Sequence, residues 1–219
     1  MNSERDNILA RIREALQAPT PPPSPASPQN VREWLPKSGG ETAQCWATFM
    51  AQTAALKATV KICASLEEAR SQLATLAAEE AWQRIGTHGG GLAADLAVSL
   101  TLPTLNTSAP YETAALEACS VGITECDALV AQTGSVLLTS RSGGGRALSV
   151  LPPHHVVIAR GEQLVADLPA AYDLLQEKYG GNWPSFMTFI TGPSRTGDIE
   201  RILVLGAHGP KQLTILILP

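Results

Sequence analysis

The chain predicts an α/β fold built on a largely parallel sheet. Three observations carry this. From residue 44 onward, amphipathic helical stretches alternate with short apolar runs of strand length. Two of those runs, Val136-Leu137-Leu138 and Ile215-Leu216-Ile217-Leu218, are apolar on consecutive residues, so both faces of the strand are covered. Turn residues, chiefly glycine and proline, separate the runs at short intervals.

Taken in order, residues 3–17 form a short amphipathic helix. Ser3 caps it, with Asp6 three residues on, and Ile8, Leu9, Ile12 and Leu16 share one face. Residues 18–42 are a linker. Pro19, Pro21, Pro22, Pro23, Pro25 and Pro28 deny it helix or ladder, because proline lacks an N–H and fixes φ. Such an arm either docks the helix on its own domain or lets it grip a partner or a second copy. We prefer the second reading, since nothing nearby in sequence forces the helix home. Residues 43–219 then read as one domain, with helix over 43–58, strand over 59–64 and helix over 66–81. Strand follows over 82–86, a glycine turn over 87–91, helix over 92–99, extended chain over 101–105 and helix over 111–118. Strand runs over 122–139 break at Thr133-Gly134. Strand over 156–159, helix over 170–179, strand over 186–190 and strand over 213–218 complete the order.

Composition narrows the function. The chain has 219 residues, 44% hydrophobic, with a net charge of −4, and shows no basic stripe of the kind that neutralises nucleic-acid phosphates. No run reaches the ~18 apolar residues of a membrane span. The start lacks the apolar core of a signal peptide and carries Glu4, Asp6 and Glu14, so a cytoplasmic setting is expected. Cys45, Cys63, Cys119 and Cys126 form no Cys-x-x-Cys and read as plain thiols. No metal site and no iron–sulfur cluster is expected on this chain.

The most informative stretch is 190–211. It sets a Gly-Pro break, two hydroxyls, Arg195, Asp198, His208 between small residues, and Lys211 on turns that end apolar runs. Gly192, Ser194 and Thr196 offer backbone and hydroxyl donors at a helix start running through Glu200, where an anion can bind. Arg195 adds a charged planar fork. The plain alternative is a capped turn with Arg195 and Asp198 paired for structure. His208, beside Gly209, can exchange a proton near neutral pH or be tied to backbone carbonyls. Lys211 is either a cation for the same pocket or a solvated strand-edge lysine. The basic loop 140–146 can bring Arg141 or Arg146 to an anion or be ordinary surface. Thr87-His88-Gly89-Gly90-Gly91 is a weak phosphate-type cradle without a nucleotide fingerprint. His154 and His155, adjacent on extended chain, point opposite ways and do not share a metal.

These residues carry a resemblance. Gly192-Pro193-Ser194-Arg195-Thr196-Gly197-Asp198-Ile199-Glu200, then Gly206-Ala207-His208-Gly209-Pro210-Lys211, resemble the closing signature of the LUD-domain family, lactate-utilisation protein C type. Asp127-Ala128-Leu129-Val130-Ala131-Gln132-Thr133-Gly134-Ser135-Val136 agrees, as does Arg146 with Leu151-Pro152. The match runs from about residue 110 to the end. It implies a three-layer α/β/α fold shared with CoA transferases, ribose-phosphate isomerase and formyltetrahydrofolate cyclo-ligase. It also implies a part in oxidising L-lactate to pyruvate beside partner subunits that carry the iron–sulfur clusters. The family usually places a glutamate where this chain has Gln132, and an amide cannot form the acyl adduct of a carboxylate. The expected site therefore binds a small anionic metabolite without covalent attachment. Gln132, Thr133, Gly134, Arg146, Gly192, Ser194, Arg195, Thr196, Gly209 and Lys211 line it, and Asp198 and His208 are the catalytic pair. Other readings are a stand-alone cyclo-ligase- or CoA-transferase-like enzyme, or an assembly subunit without chemistry.

Overall fold

The computed structural model of the chain describes residues 3–17, 40–196 and 204–219. It divides into two compact units, Met1–Lys37 and Ser38–Pro219. In the first, α1 (Glu4–Gln17) starts at the expected reciprocal cap: Ser3 Oγ accepts from the Asp6 N–H, and the Asp6 carboxylate accepts from the Ser3 N–H.

The second unit begins with α2 (Thr42–Ala55), β1 (Thr59–Ile62), α3 (Leu66–Glu79), β2 (Ile85–Thr87) and α4 (Leu92–Val98). The helix read over 43–58 stops early, because Lys57 turns to φ +62°. Ser65 caps α3 by accepting from the Glu68 N–H, while Glu68 reaches back to the Ala64 N–H. Then come β3 (Thr104–Asn106), α5 (Thr113–Glu117), β4 (Val121–Glu125), β5 (Ala128–Val130) and β6 (Ser135–Thr139). After these follow β7 (His154–Arg160), β8 (Leu164–Val165), α6 (Leu168–Tyr179), β9 (Met187–Ile190), β10 (Arg195–Thr196), β11 (Val204–Leu205) and β12 (Gln212–Leu218).

Six strands form one sheet in the order β1-β12-β7-β4-β2-β3, every pair parallel. Strand alternation splits its side chains between two cores. Val156, Ile158, Leu216 and Leu218 pack with Leu73, Leu76 and Leu96 of α3 and α4. Val157, Ile215 and Ile217 face the other way, onto Phe49 of α2 and onto Leu129, Val136 and Leu138. The α/β class and the parallel sheet flanked by helices are as expected. The strand order brings a second sheet that the sequence reading did not contain: four strands, β8-β5-β6-β9, with β6 antiparallel to both neighbours. The run 136–138 is apolar on both faces for this reason. Leu137 packs on Leu175 and Tyr179 of α6, and its neighbours pack into the core that the larger sheet shares with Phe49 of α2.

Candidate functional site

The closing motif starts where β9 ends. Gly192 adopts φ +84°, and a Cβ there would stand 3.1 Å from Leu56, so the turn needs glycine. β10 pairs antiparallel with β11, Arg195 opposite Leu205. Ser194 does not offer a free N–H as expected: it donates to the Pro210 carbonyl at 2.8 Å, and the Ser194 carbonyl accepts from the Gly206 N–H. Two passes of the motif are thereby stitched together. Asp198 and the helix start expected through Glu200 lie outside the described residues.

The second pass lines a cavity of 490 Å³. Gly206, Ala207, His208, Gly209 and Lys211 form one side; Arg146, Val150, Leu151 and Pro153 form the other. The Lys211 N–H donates to the Pro153 carbonyl, which sets both chains at the amino ends of β7 and β12. Arg146, His208, Gly209 and Lys211 are thus brought together, and Ser194 packs directly on Gly209.

Gln132, Thr133 and Gly134 sit elsewhere, at the β5–β6 turn, and do not line this cavity. The Gln132 Oε1 accepts from the Leu168 N–H at the start of α6. Ser135 donates to Thr133 and bonds Thr191, each at 2.7 Å, so the turn is joined to the start of the Gly192 turn across the β6–β9 pair.

A second cavity, of 180 Å³, occupies the opposite end of the large sheet. It is lined by His88, Gly89 and Gly90 after β2, Ala93 of α4, Thr124 and Glu125 of β4, and Arg141 and Ser142 after β6. The chain leaving β2 passes through α4 on one face to β3. The chain leaving β4 passes through the smaller sheet on the other face to β7. Adjacent parallel strands whose connections diverge leave a crevice at their carboxyl ends, where open α/β sheets place ligands.

Behind this crevice lies a polar hub that the sequence reading missed. Asp127, buried at 3% exposure, accepts from Lys178 Nζ, Tyr179 Oη and Ser142 Oγ, each at 2.6 Å. Burial pushes its carboxyl up, but hydrogen bonds from Lys178, Ser142, Tyr179 and Thr139 together outweigh that and hold it below the usual carboxylate range. The Arg141 guanidinium lies 5.0 Å from the centre of the Tyr179 ring and donates to the Asn182 carbonyl. A carboxylate inside an apolar run was the available signal, since burial demands a partner. Two of its partners, Lys178 and Tyr179, stand 51 and 52 residues away, beyond any local pattern.

His154 and His155 do diverge. His155 Nε2 meets Thr124 at 2.9 Å on one face of the sheet, and His154 Nε2 meets Thr214 at 2.9 Å on the other. Burial depresses both, His154 to about 4 and His155 to about 3. The four cysteines are free thiols; burial raises Cys63, Cys119 and Cys126. Among the described residues no group of three or more His, Cys, Asp or Glu is placed to hold a metal ion. No helix among them is long and apolar enough to cross a membrane.

Residues 112–218 match the family model of the LUD domain. These residues form a LUD domain. Lactate utilization protein C of Shouchella clausii (strain KSM-K16) is 39% identical over 102 residues, 46% of this chain and 44% of that protein. The protein of the same name from Geobacillus sp. (strain WCH70) is 41% identical over 103 residues, 46% of this chain and 43% of that one. The chain thus spans less than half the length of the curated relatives it matches. Among solved structures, a DUF162 family protein from Deinococcus radiodurans superposes with a TM-score of 0.65 at 19% identity, over 83% of this chain and 100% of that one. The chain therefore shares its fold with that protein.

Proposed function

We propose that this chain acts in lactate utilisation, as the names of its relatives suggest, and that it does so in the cytoplasm. In this reading it is a subunit that works with iron–sulfur partner subunits in the oxidation of L-lactate to pyruvate. The partners' clusters would supply the acceptor for the two electrons that this oxidation releases. The chain itself binds a small anionic metabolite without covalent attachment.

One observation carries the binding part. Arg146, His208 and Lys211, from two separate segments, line a single cavity bordered by Ser194 and Gly209. A guanidinium, an amine and an imidazole suit a carboxylate or phosphate. His208, exposed at its mouth, exchanges a proton with the ligand, with Asp198 as its acidic counterpart. Arg195, Gly192 and Thr196 shape the hairpin that closes the motif. Gln132 anchors the α6 start and provides no nucleophile.

Calorimetric titration with L-lactate, pyruvate and inorganic phosphate tests this. Arg146→Ala and Lys211→Ala should each weaken the ligand held in this cavity by about 1.5–3 kcal/mol, the range for a hydrogen bond to a charged group. Co-purification from the native host should bring iron-containing proteins. Unaltered affinity in both variants would remove the ligand assignment. Recovery of the chain without such partners would remove the subunit role.

A further inference from the structure

We propose that the crevice between the carboxyl ends of β2 and β4 binds a short hydroxy acid, its carboxylate on Arg141 and its hydroxyl on Glu125. This site is separate from the motif cavity and goes beyond the reading above.

Size is the first argument. At ~30 Å³ for each liquid water, a 180 Å³ space holds about six non-hydrogen atoms, the size of a three-carbon hydroxy acid. Charge is the second. Asn182 takes one of the five N–H groups of the Arg141 fork, and the rest have no protein acceptor among the described residues. Glu125 Oε1 accepts from the Ala93 N–H at 3.2 Å, and Oε2 has no protein partner among those residues. An arginine beside the crevice disfavours a bare cation, and a glutamate disfavours a polyanion such as phosphate. A molecule with one carboxylate and one hydroxyl satisfies both groups at once.

Backbone shape is the third argument. A Cβ on Gly91, at φ +108°, would stand 2.6 Å from Glu125 Oε1. One on Gly144, at φ +67°, would stand 2.2 Å from His88 Cγ. Two loops therefore approach the lining side chains more closely than any other residue allows. Ser142, held by Asp127, fixes the loop that carries Arg141.

The test is calorimetric titration of the full chain with L-lactate, with propionate as the analogue lacking the hydroxyl, and with inorganic phosphate. Lactate should bind roughly tenfold or more tightly than propionate, because a group placed for a hydroxyl is left unpaired without one. Arg141→Met should weaken lactate roughly 10- to 100-fold. Glu125→Met should erase the preference over propionate. If that variant does not fold, Glu125→Gln, which keeps the bond to Ala93, should narrow the preference. Lactate binding lost in Arg146→Ala yet intact in Arg141→Met would overturn this site and leave the motif cavity as the lactate site. Absence of lactate binding, or tighter binding of phosphate at the crevice, would also overturn it, while the co-purification result stands apart from either.

Discussion

Asp127 shows how one buried charge organises a surface loop. Its Oδ1 takes Lys178 and Tyr179 and its Oδ2 takes Ser142, so α6 and the loop after β6 are tied to the end of β4. Lys178 is half exposed, and its share of the bond is correspondingly screened. Replacing Asp127 with Asn removes the charge and keeps the shape. Asp127→Asn should cost about 1.5–3 kcal/mol at pH 7, measured by urea unfolding. The folded carboxyl lies below its unfolded value, so its contribution is present above about pH 4 and fades as pH falls through the depressed folded value. The gap between wild type and variant should therefore narrow as pH falls below about 4. Gly144→Ala should cost about 1–3 kcal/mol, since alanine meets both a left-handed backbone and the His88 ring. A melting midpoint unchanged in Gly144→Ala would show that the loop does not close on His88.

At the scale of elements, β7 gives the domain its sensitivity to mild acid. It holds His154 and His155 neutral, one on each face, each bonded to a threonine of a neighbouring strand. Both have folded values well below 6.5, about 4 and about 3. The unfolded chain takes up these protons as pH falls below about 6.5 and the folded chain does not. Stability should be flat in this respect above about pH 7 and should fall by about 1.4 kcal/mol per pH unit for each histidine between pH 6 and 4. Urea midpoints at pH 7, 6 and 5 check the slope. His155→Gln, which can still bond Thr124, should roughly halve it.

For the molecule as a whole, stability rests on the core between the two sheets. Leu138 is fully buried there with Val157 and Ile215, and Leu138→Ala should cost about 2–5 kcal/mol by guanidinium unfolding. The N-terminal segment is a unit of its own. Removal of residues 1–29 should leave the melting midpoint of the remaining domain within a few degrees. Failure of that truncated chain to fold would show that the first helix belongs to the core.

Local rules in the sequence determined the pieces. The Ser3–Asp6 cap, the alternation of helix and strand and the parallel character of the main sheet all follow from backbone chemistry and hydrophobic period, which act over a few residues; the proline arm expected over 18–42 lies almost wholly outside the described residues. That Arg146, His208 and Lys211 stand on or beside glycine turns was legible for the same reason; that they line one cavity was not. Tertiary structure decided what pairs with what. Strand order joined β1 to β12 across more than 150 residues of chain, folded β5, β6, β8 and β9 into a second sheet, and sent 132–134 to Thr191 rather than to His208. It also brought Arg141 and Glu125 to one crevice and Lys178 to Asp127. Such pairings are chosen by the joint burial of distant apolar runs, and that choice leaves no mark on the residues nearby.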